Sequence, residues 1–290
     1  MHAPLCLGLC SVLFVTCGGI GSLRGQPDSL PGPAHYGAAI EVVQEIAFGK
    51  SEHQKLDLYR PASGEPTPVV VCWFGGAFWG GNPWDMTGVA SFLASRGFAA
   101  VAPGYFLGTK EGSRAAWPQA VHDAKAAVRF VRANASQLKV DGGRVVALGY
   151  SSGAYLAAMV GYTPNLRELE GEGANLDVSS RVSAVVAMAG VYDRRRDLGL
   201  PLGLLGKGYE EKIDLRVATS PVIYVHSRSV PTYLLHGRDD TVADVSSATQ
   251  LAGVLAAAGV RHELRLVETG HYPISAAELE RIVEWLRRIL

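Results

Sequence analysis

Residues 145–160 read Val-Val-Ala-Leu-Gly-Tyr-Ser-Ser-Gly-Ala-Tyr-Leu-Ala-Ala-Met-Val, and this stretch decides the fold. The apolar run 145–149 predicts a buried strand, and the run 154–160 predicts a helix. The turn between them needs small residues if a nucleophile is to stand clear of the sheet, and Gly149 and Gly153 meet that need. A chance Gly/Ser turn is the alternative, but the strand–turn–helix context favours Ser151 as a nucleophile.

On both sides of this turn, apolar strands alternate with helices, which is typical of an α/β fold with a mostly parallel sheet and helices on both faces. No internal linker interrupts the pattern, so we expect a single domain over residues 26–290. The predicted strands are 40–48, 55–59, 68–74, 98–102, 145–149, 182–189, 232–236 and 263–267, and the predicted helices are 89–95, 118–133, 154–160, 248–257 and 278–289.

A glycine-rich loop follows the predicted strand 68–74 and reads Phe74-Gly75-Gly76-Ala77-Phe78-Trp79-Gly80-Gly81. Paired glycines let backbone N–H groups approach a substrate oxygen that a side chain would block. We therefore expect Gly75, Gly76 and the N–H of Ser152 to form an oxyanion hole. A flexible glycine turn without function is the alternative interpretation.

A serine hydroxyl needs a base, and the base needs a carboxylate that orients it. His271 lies in the loop after the last predicted strand, and Asp240 lies in the loop after strand 232–236, so both are expected at the carboxyl edge of the sheet. Asp239 and Asp244 compete with Asp240 for the role of the acid. His236 ends a strand and is interpreted as a packed or hydrogen-bonding histidine.

With these motifs in place, the chain resembles the α/β-hydrolase fold, and within it the carboxylesterases with a His-Gly-Gly-Gly-type oxyanion loop. The resemblance is strongest to small bacterial esterases related to feruloyl and acetylxylan esterases. It extends to Trp117-Pro118 through Arg132, to Val140-Asp141 with Arg144, and to Glu170-Gly171-Glu172 through Val185. The departure from the pattern is Phe74, which stands where these esterases have the histidine, with Ala77 in place of the third glycine.

The resemblance implies an eight-stranded sheet and a serine carboxylesterase that cleaves small or aryl esters through an acyl-enzyme on Ser151, without metal or organic cofactor. We expect Phe78, Trp79 and Tyr150 to contact a small-molecule ester substrate. An amidase of the same fold, either an arylformamidase or a peptidase, would use the same residues. A catalytically silent binding protein is a further alternative, because Phe74 alters the oxyanion loop.

The charge of the chain is balanced, with 27 basic and 27 acidic side chains. This balance gives no electrostatic argument for nucleic acid or an anionic membrane as a partner, and it leaves the oligomeric state open. Cys72 stands alone beyond the N-terminal cysteines and is expected to be a buried apolar residue.

The N-terminal stretch 5–15 is apolar but too short to span a bilayer comfortably. Small residues follow it, and then a Pro/Gly-rich stretch, 25–33. This layout predicts a signal peptide over residues 1–25 and a secreted or periplasmic protein without stable membrane insertion. Lipid anchoring at Cys17 is a minor alternative.

Overall fold

The computed structural model describes residues 30–164, 166–196 and 202–290. The predicted signal peptide, 1–25, lies outside these ranges. Within them, no helix is both long enough and apolar enough to cross a membrane.

A mixed sheet forms the centre of the described chain. It has eight strands in the order β1-β2-β4-β3-β5-β6-β7-β8. The antiparallel pairs are β1–β2 and β2–β4, and the other neighbours are parallel. The strands are β1 Ile40–Ala47, β2 Lys55–Pro61, β3 Thr67–Trp73, β4 Ala99–Pro103, β5 Val140–Tyr150, β6 Ala184–Met188, β7 Thr232–Gly237 and β8 His262–Val267.

Helices cover the sheet on both faces. Every residue of β4 and of β6 is buried, which requires cover on both sides because successive side chains of a strand point to opposite faces. Helix α2 packs on α9, and α3 packs on α5. The helices are α1 Pro33–Tyr36, α2 Thr87–Ser95, α3 Gln119–Ala133, α4 Ala135–Leu138, α5 Ser152–Tyr162, α6 Leu202–Leu205, α7 Ile213–Ala218, α8 Ser246–Ala257 and α9 Ala276–Ile289.

The α/β-hydrolase architecture and the mostly parallel eight-stranded sheet are thus confirmed. Strand β5 is longer than the sequence predicts: it begins at Val140, and its register against β3 shifts after Pro68. The extra residues of this bulge are polar or glycine, so they carry no apolar pattern that would reveal a strand. The sequence also does not predict the short helices α1, α4, α6 and α7, because one or two helical turns are too short for a clear periodicity.

The central position of β5 places its carboxyl end between β3 and β6. Strand β3 precedes the β5–α5 turn in the sequence, and strand β6 follows it. The loop after β3 and the loop after β6 therefore both lie beside this turn. Ligands of open α/β sheets bind at such a crevice beyond the carboxyl ends of the strands. The functional site is therefore expected at the β5–α5 turn.

Candidate active site

Ser151 occupies a strained turn between β5 and α5. Its backbone has φ 55° and ψ −117°, which non-glycine residues rarely adopt. A Cβ on Gly149 would lie 2.0 Å from the Gly153 carbonyl oxygen, and a Cβ on Gly153 would lie 2.0 Å from that of Trp73. Both glycines are therefore required by close backbone approach, and the turn presents the Ser151 hydroxyl above the sheet.

The structure brings Ser151, His271 and Asp240 into one hydrogen-bonded line. The Ser151 hydroxyl lies 3.0 Å from Nε2 of His271, and Nδ1 of the same ring lies 2.8 Å from Oδ2 of Asp240. The Asp240 side chain is fully buried, whereas that of His271 is 21% exposed. In this arrangement Nδ1–H donates to the carboxylate, which leaves Nε2 free to accept the serine proton.

The loops that carry the acid and the base are fastened to each other. The N–H of Asp239 donates to the Thr269 carbonyl at 3.0 Å. A Cβ on Gly237 would lie 2.0 Å from the Gly270 carbonyl oxygen, so only glycine allows this approach. The spacing between Asp240 and His271 is thus fixed by backbone contacts and not only by their own hydrogen bond.

The choice among the candidate acids follows from the turn after β7. Oδ1 of Asp240 accepts the N–H groups of Val242 and Ala243, each at 2.8 Å, which turns the carboxylate inward. Asp239 and Asp244 are exposed at the surface, and the Asp244 carboxylate accepts the N–H of Ser246 at the start of α8.

His236 lies beneath the acid and is completely buried. Its Nε2 lies 2.7 Å from the Ala243 carbonyl and 3.2 Å from Oδ2 of Asp240. Burial lowers the pKa of this imidazole, although the hydrogen bond to Ala243 and the charge of Asp240 oppose the shift. His236 therefore remains neutral at neutral pH and donates to the loop that presents Asp240.

The loop after β3 approaches the nucleophile from the opposite side. A Cβ on Gly75 would lie 3.0 Å from that of Ser151, and one on Gly76 would lie 2.1 Å from the Gly80 carbonyl oxygen. The N–H groups of Trp79 and Gly80 donate to the Gly76 carbonyl. This pattern does not use the N–H groups of Gly76 and Ala77.

A small cavity of about 40 Å³ opens beside the nucleophile. Its walls are mainly apolar, with one buried guanidinium. The lining residues are Ala77, Phe78, Ser151, Ser152, Ala189, Val191, Arg194, Val242, Ala243 and His271. At roughly 10–15 Å³ for one water-sized probe, the space admits only a few heavy atoms.

The aromatic residues predicted to contact substrate are separated by the structure. Phe78 lines the cavity, although only 1% of its surface is exposed and its ring packs edge-on against Tyr155. Tyr150 lies beside the His271 ring, with centroids 5.4 Å apart, but does not line the cavity. Trp79 points away: it is 44% exposed, and the Lys110 ammonium lies over its ring.

A larger cleft of about 980 Å³ adjoins Asp240. It shares Val191 and Val242 with the small cavity, so the two spaces are neighbours. Most of the residues that line it carry hydroxyl, amide or charged side chains. They include Asp193, Arg196, Thr241, Asp244, Ser246, Ser247, Thr249 and Gln250.

Sequence reasoning missed several residues of the site. Ala77 lines the cavity, whereas Gly75 and Gly76 do not. Ala189, Val191 and Arg194 follow β6, and their presence at the site could have been predicted from the order of the strands. For Ala77, the alignment with the third glycine of the loop pattern was the available signal.

Among the described residues, no group of His, Cys, Asp or Glu side chains is arranged to hold a metal ion. Cys72 is buried in β3, and burial raises the pKa of its thiol, which opposes formation of the reactive thiolate.

Several known hydrolases are similar in sequence to this chain. Esterase LipQ of Mycobacterium tuberculosis is 27% identical over 249 residues, which are 79% of this chain and 56% of LipQ. Kynurenine formamidase of Danio rerio is 28% identical over 160 residues, 54% of this chain and 48% of that enzyme. The chain spans about half the length of the curated relatives it matches.

A solved structure of the thermophilic esterase Est2 of Thermogutta terrifontis, with propionate bound, superimposes with a TM-score of 0.70 at 27% identity, covering 87% of this chain and 94% of that one. The same esterase has also been solved phosphorylated by paraoxon, with a TM-score of 0.68 at 26% identity and the same coverage. The BD-FAE family matches residues 56–255, which include the nucleophile turn and the acid. On this match and this fold, the chain belongs to the BD-FAE family of α/β-hydrolase-fold proteins.

Proposed function

We propose that this chain is a serine carboxylesterase that cleaves esters of short acyl groups through an acyl-enzyme on Ser151. The observation that carries the proposal is the line from Ser151 Oγ through His271 to the buried Asp240. Relatives and structural neighbours that are esterases support it. The paraoxon adduct of Est2 supports the same class of nucleophile.

The chemistry follows from the positions of the atoms. His271 Nε2 takes the Ser151 proton as Oγ attacks the ester carbonyl, and Asp240 stabilises the resulting imidazolium. The N–H of Ser152 and those of the loop Gly75–Ala77 receive the negative oxygen of the tetrahedral intermediate. His271 then donates its proton to the leaving alcohol, and water repeats both steps on the acyl-enzyme.

The sizes of the two spaces support a particular kind of ester. The cavity beside Ser151, at about 40 Å³, has room for only a few heavy atoms, as a short acyl group requires. The neighbouring polar cleft, at about 980 Å³, is able to take a much larger hydroxyl-bearing alcohol. We therefore propose that the acyl side is short and the alcohol side is large and polar.

The test is hydrolysis of p-nitrophenyl acetate, butyrate and octanoate by the wild type and by Ser151→Ala. We expect activity toward acetate and butyrate, little toward octanoate, and a loss of several orders of magnitude in the variant. Equal rates in the two proteins would refute the assignment of the nucleophile. A preference for octanoate would refute the acyl size while leaving the mechanism in place.

A formamidase is the second candidate, because kynurenine formamidase is among the relatives and a formyl group also fits the cavity. The catalytic residues would be the same, so only the substrate distinguishes the candidates. A higher kcat/KM for an N-formyl arylamine than for the acetate ester would favour the formamidase. A silent binding protein is disfavoured, because all three members of the triad lie at hydrogen-bonding distance.

We also propose that the protein is exported, on the apolar stretch and small residues of its first 25 positions. N-terminal sequencing of the protein recovered from the culture medium or periplasm tests this proposal. A new N-terminus near residue 25 is expected, and an acylated Cys17 would indicate a lipid anchor instead. Recovery of the uncleaved chain from the cytoplasm would contradict both.

A further inference from the structure

The oxyanion loop begins with a residue that cannot hold it by a side-chain hydrogen bond. Phe74 replaces the histidine of the resembled esterases, and its ring has no polar atom. The ring is 2% exposed and packs so closely that a Cβ on Gly81 would lie 2.6 Å from it. Packing of the ring alone does not fix the direction of the Phe74 carbonyl. This direction matters because the N–H groups of Gly75–Ala77, the proposed oxyanion donors, follow directly after that carbonyl in the chain.

Tyr105 contacts this residue in two ways. It follows β4 and is 1% exposed. Its ring stacks on that of Phe74, with centroids 4.3 Å apart and an interplanar angle of 20°. Its hydroxyl donates a hydrogen bond to the Phe74 carbonyl at 3.0 Å, so it fixes the orientation of the peptide from which the loop starts.

The same hydroxyl reaches the other half of the oxyanion hole. The Tyr105 oxygen lies 3.3 Å from Oγ of Ser152. Because the Tyr105 proton is directed to Phe74, the Ser152 hydroxyl is the donor in this second bond. Burial raises the pKa of the Tyr105 phenol, which keeps it protonated and able to donate.

We propose that Tyr105 is a positioning residue that sets the distance between the two groups of oxyanion donors. One group is the N–H of Ser152, and the other is the set of N–H groups that follow Phe74. The Tyr105 hydroxyl is hydrogen-bonded to Phe74 and to Ser152 at the same time, so it links helix α5 to the oxyanion loop. This role rests on the proposed esterase function.

Tyr105→Phe tests the proposal, since it removes the hydroxyl and keeps the stacked ring. We expect kcat for p-nitrophenyl acetate to fall by about tenfold to a hundredfold with KM nearly unchanged, because small displacements of donors act in the transition state. A trifluoromethyl ketone, which forms a tetrahedral oxyanion adduct on a serine, should lose affinity by the same factor as kcat.

Tyr162→Phe is the matched control. Tyr162 is likewise buried, and its hydroxyl lies 2.9 Å from Thr232 Oγ1. Neither Tyr162 nor Thr232 lines the cavity beside Ser151. Each variant loses one buried hydroxyl and its hydrogen bonding, so both should lower Tm. Only Tyr105→Phe should change kcat and the affinity for the ketone.

An unchanged kcat in a folded Tyr105→Phe protein would overturn this role while the esterase function stands. If Tyr105→Phe does not fold, Ser152→Ala breaks the second hydrogen bond and keeps the backbone donor. A parallel fall in its kcat and ketone affinity supports the proposal, and wild-type values for both refute it. Absence of Ser151-dependent hydrolysis in the wild type would refute the proposed function and this role together.

Discussion

Replacement of Asp240 by asparagine tests the triad most sharply, because the surrounding backbone dictates how the new amide must lie. Two N–H groups, those of Val242 and Ala243, point at Oδ1. The amide oxygen of Asp240→Asn must occupy that position, since an NH2 group there would face two donors. The NH2 group is then directed at Nδ1 of His271, where Oδ2 lies in the wild type at 2.8 Å.

This orientation reverses the roles of the imidazole nitrogens. Nδ1 must now accept a hydrogen bond, so the proton moves to Nε2, which faces Ser151 Oγ at 3.0 Å. A protonated Nε2 cannot take the serine proton. The loss in kcat should be about 10⁴-fold, or roughly 5 kcal/mol at 1.36 kcal/mol for each tenfold step.

The assay is kcat for p-nitrophenyl acetate at neutral pH, with Asp239→Asn and Asp244→Asn as matched controls. Both control carboxylates are exposed, and neither lies within hydrogen-bonding distance of His271, so their variants should keep near wild-type rates. Thermal unfolding confirms that each variant is folded. A folded Asp240→Asn protein that keeps a tenth of the activity or more, by the roughly 10⁴-fold expectation, would refute the reasoning.

Three further outcomes concern the buried side chains of His236 and Glu170 and the exposed side chain of Trp79. Burial lowers the pKa of His236 below 6.5, so the unfolded state takes up the proton first as the pH falls. The free energy of unfolding should therefore decrease below about pH 6.5, by up to about 1.4 kcal/mol per pH unit. Urea unfolding at pH 7 and pH 5 measures this, and His236→Gln should flatten the dependence. Glu170→Ala leaves the buried cations Lys125 and Arg129 without their carboxylate and should cost about 3–5 kcal/mol in the same assay; an unchanged urea midpoint would contradict it. Trp79→Ala should leave kcat/KM for the acetate ester unchanged, and a large loss would show that the exposed indole contacts substrate after all.

The positions of Ser151 and His271 in the site could be predicted from the sequence because their signals are local. The turn Gly149–Gly153 needs small residues at fixed positions, and His271 lies in the loop after the last strand of an order that the fold dictates. The acid was harder to assign. Asp239 and Asp240 are adjacent and chemically identical, and the turn that buries one of them depends on N–H groups of residues that follow it.

The contacts of the aromatic residues could not be predicted for a related reason. Phe78 and Trp79 are neighbours, yet one lines the cavity and the other faces solvent. The backbone at Ala77 and Phe78 has φ values of 51° and 66°, which redirect the chain at this point. Non-glycine residues seldom adopt such angles, so a pattern of residue types gives no warning of where the next side chain will point.

Backbone strain locates the site independently of the triad. Seven non-glycine residues in the described ranges have positive φ, and four of them, Ala77, Phe78, Ser151 and Ala189, line the small cavity beside the nucleophile. Each such residue costs of order 1–3 kcal/mol and persists only where the surrounding structure enforces it. A protein that merely binds a ligand in this cavity would not need the hydroxyl of Ser151 and the backbone of two facing loops held in strained conformations at once. An enzyme does need them, because the nucleophile and the oxyanion donors must be in place before the charge develops.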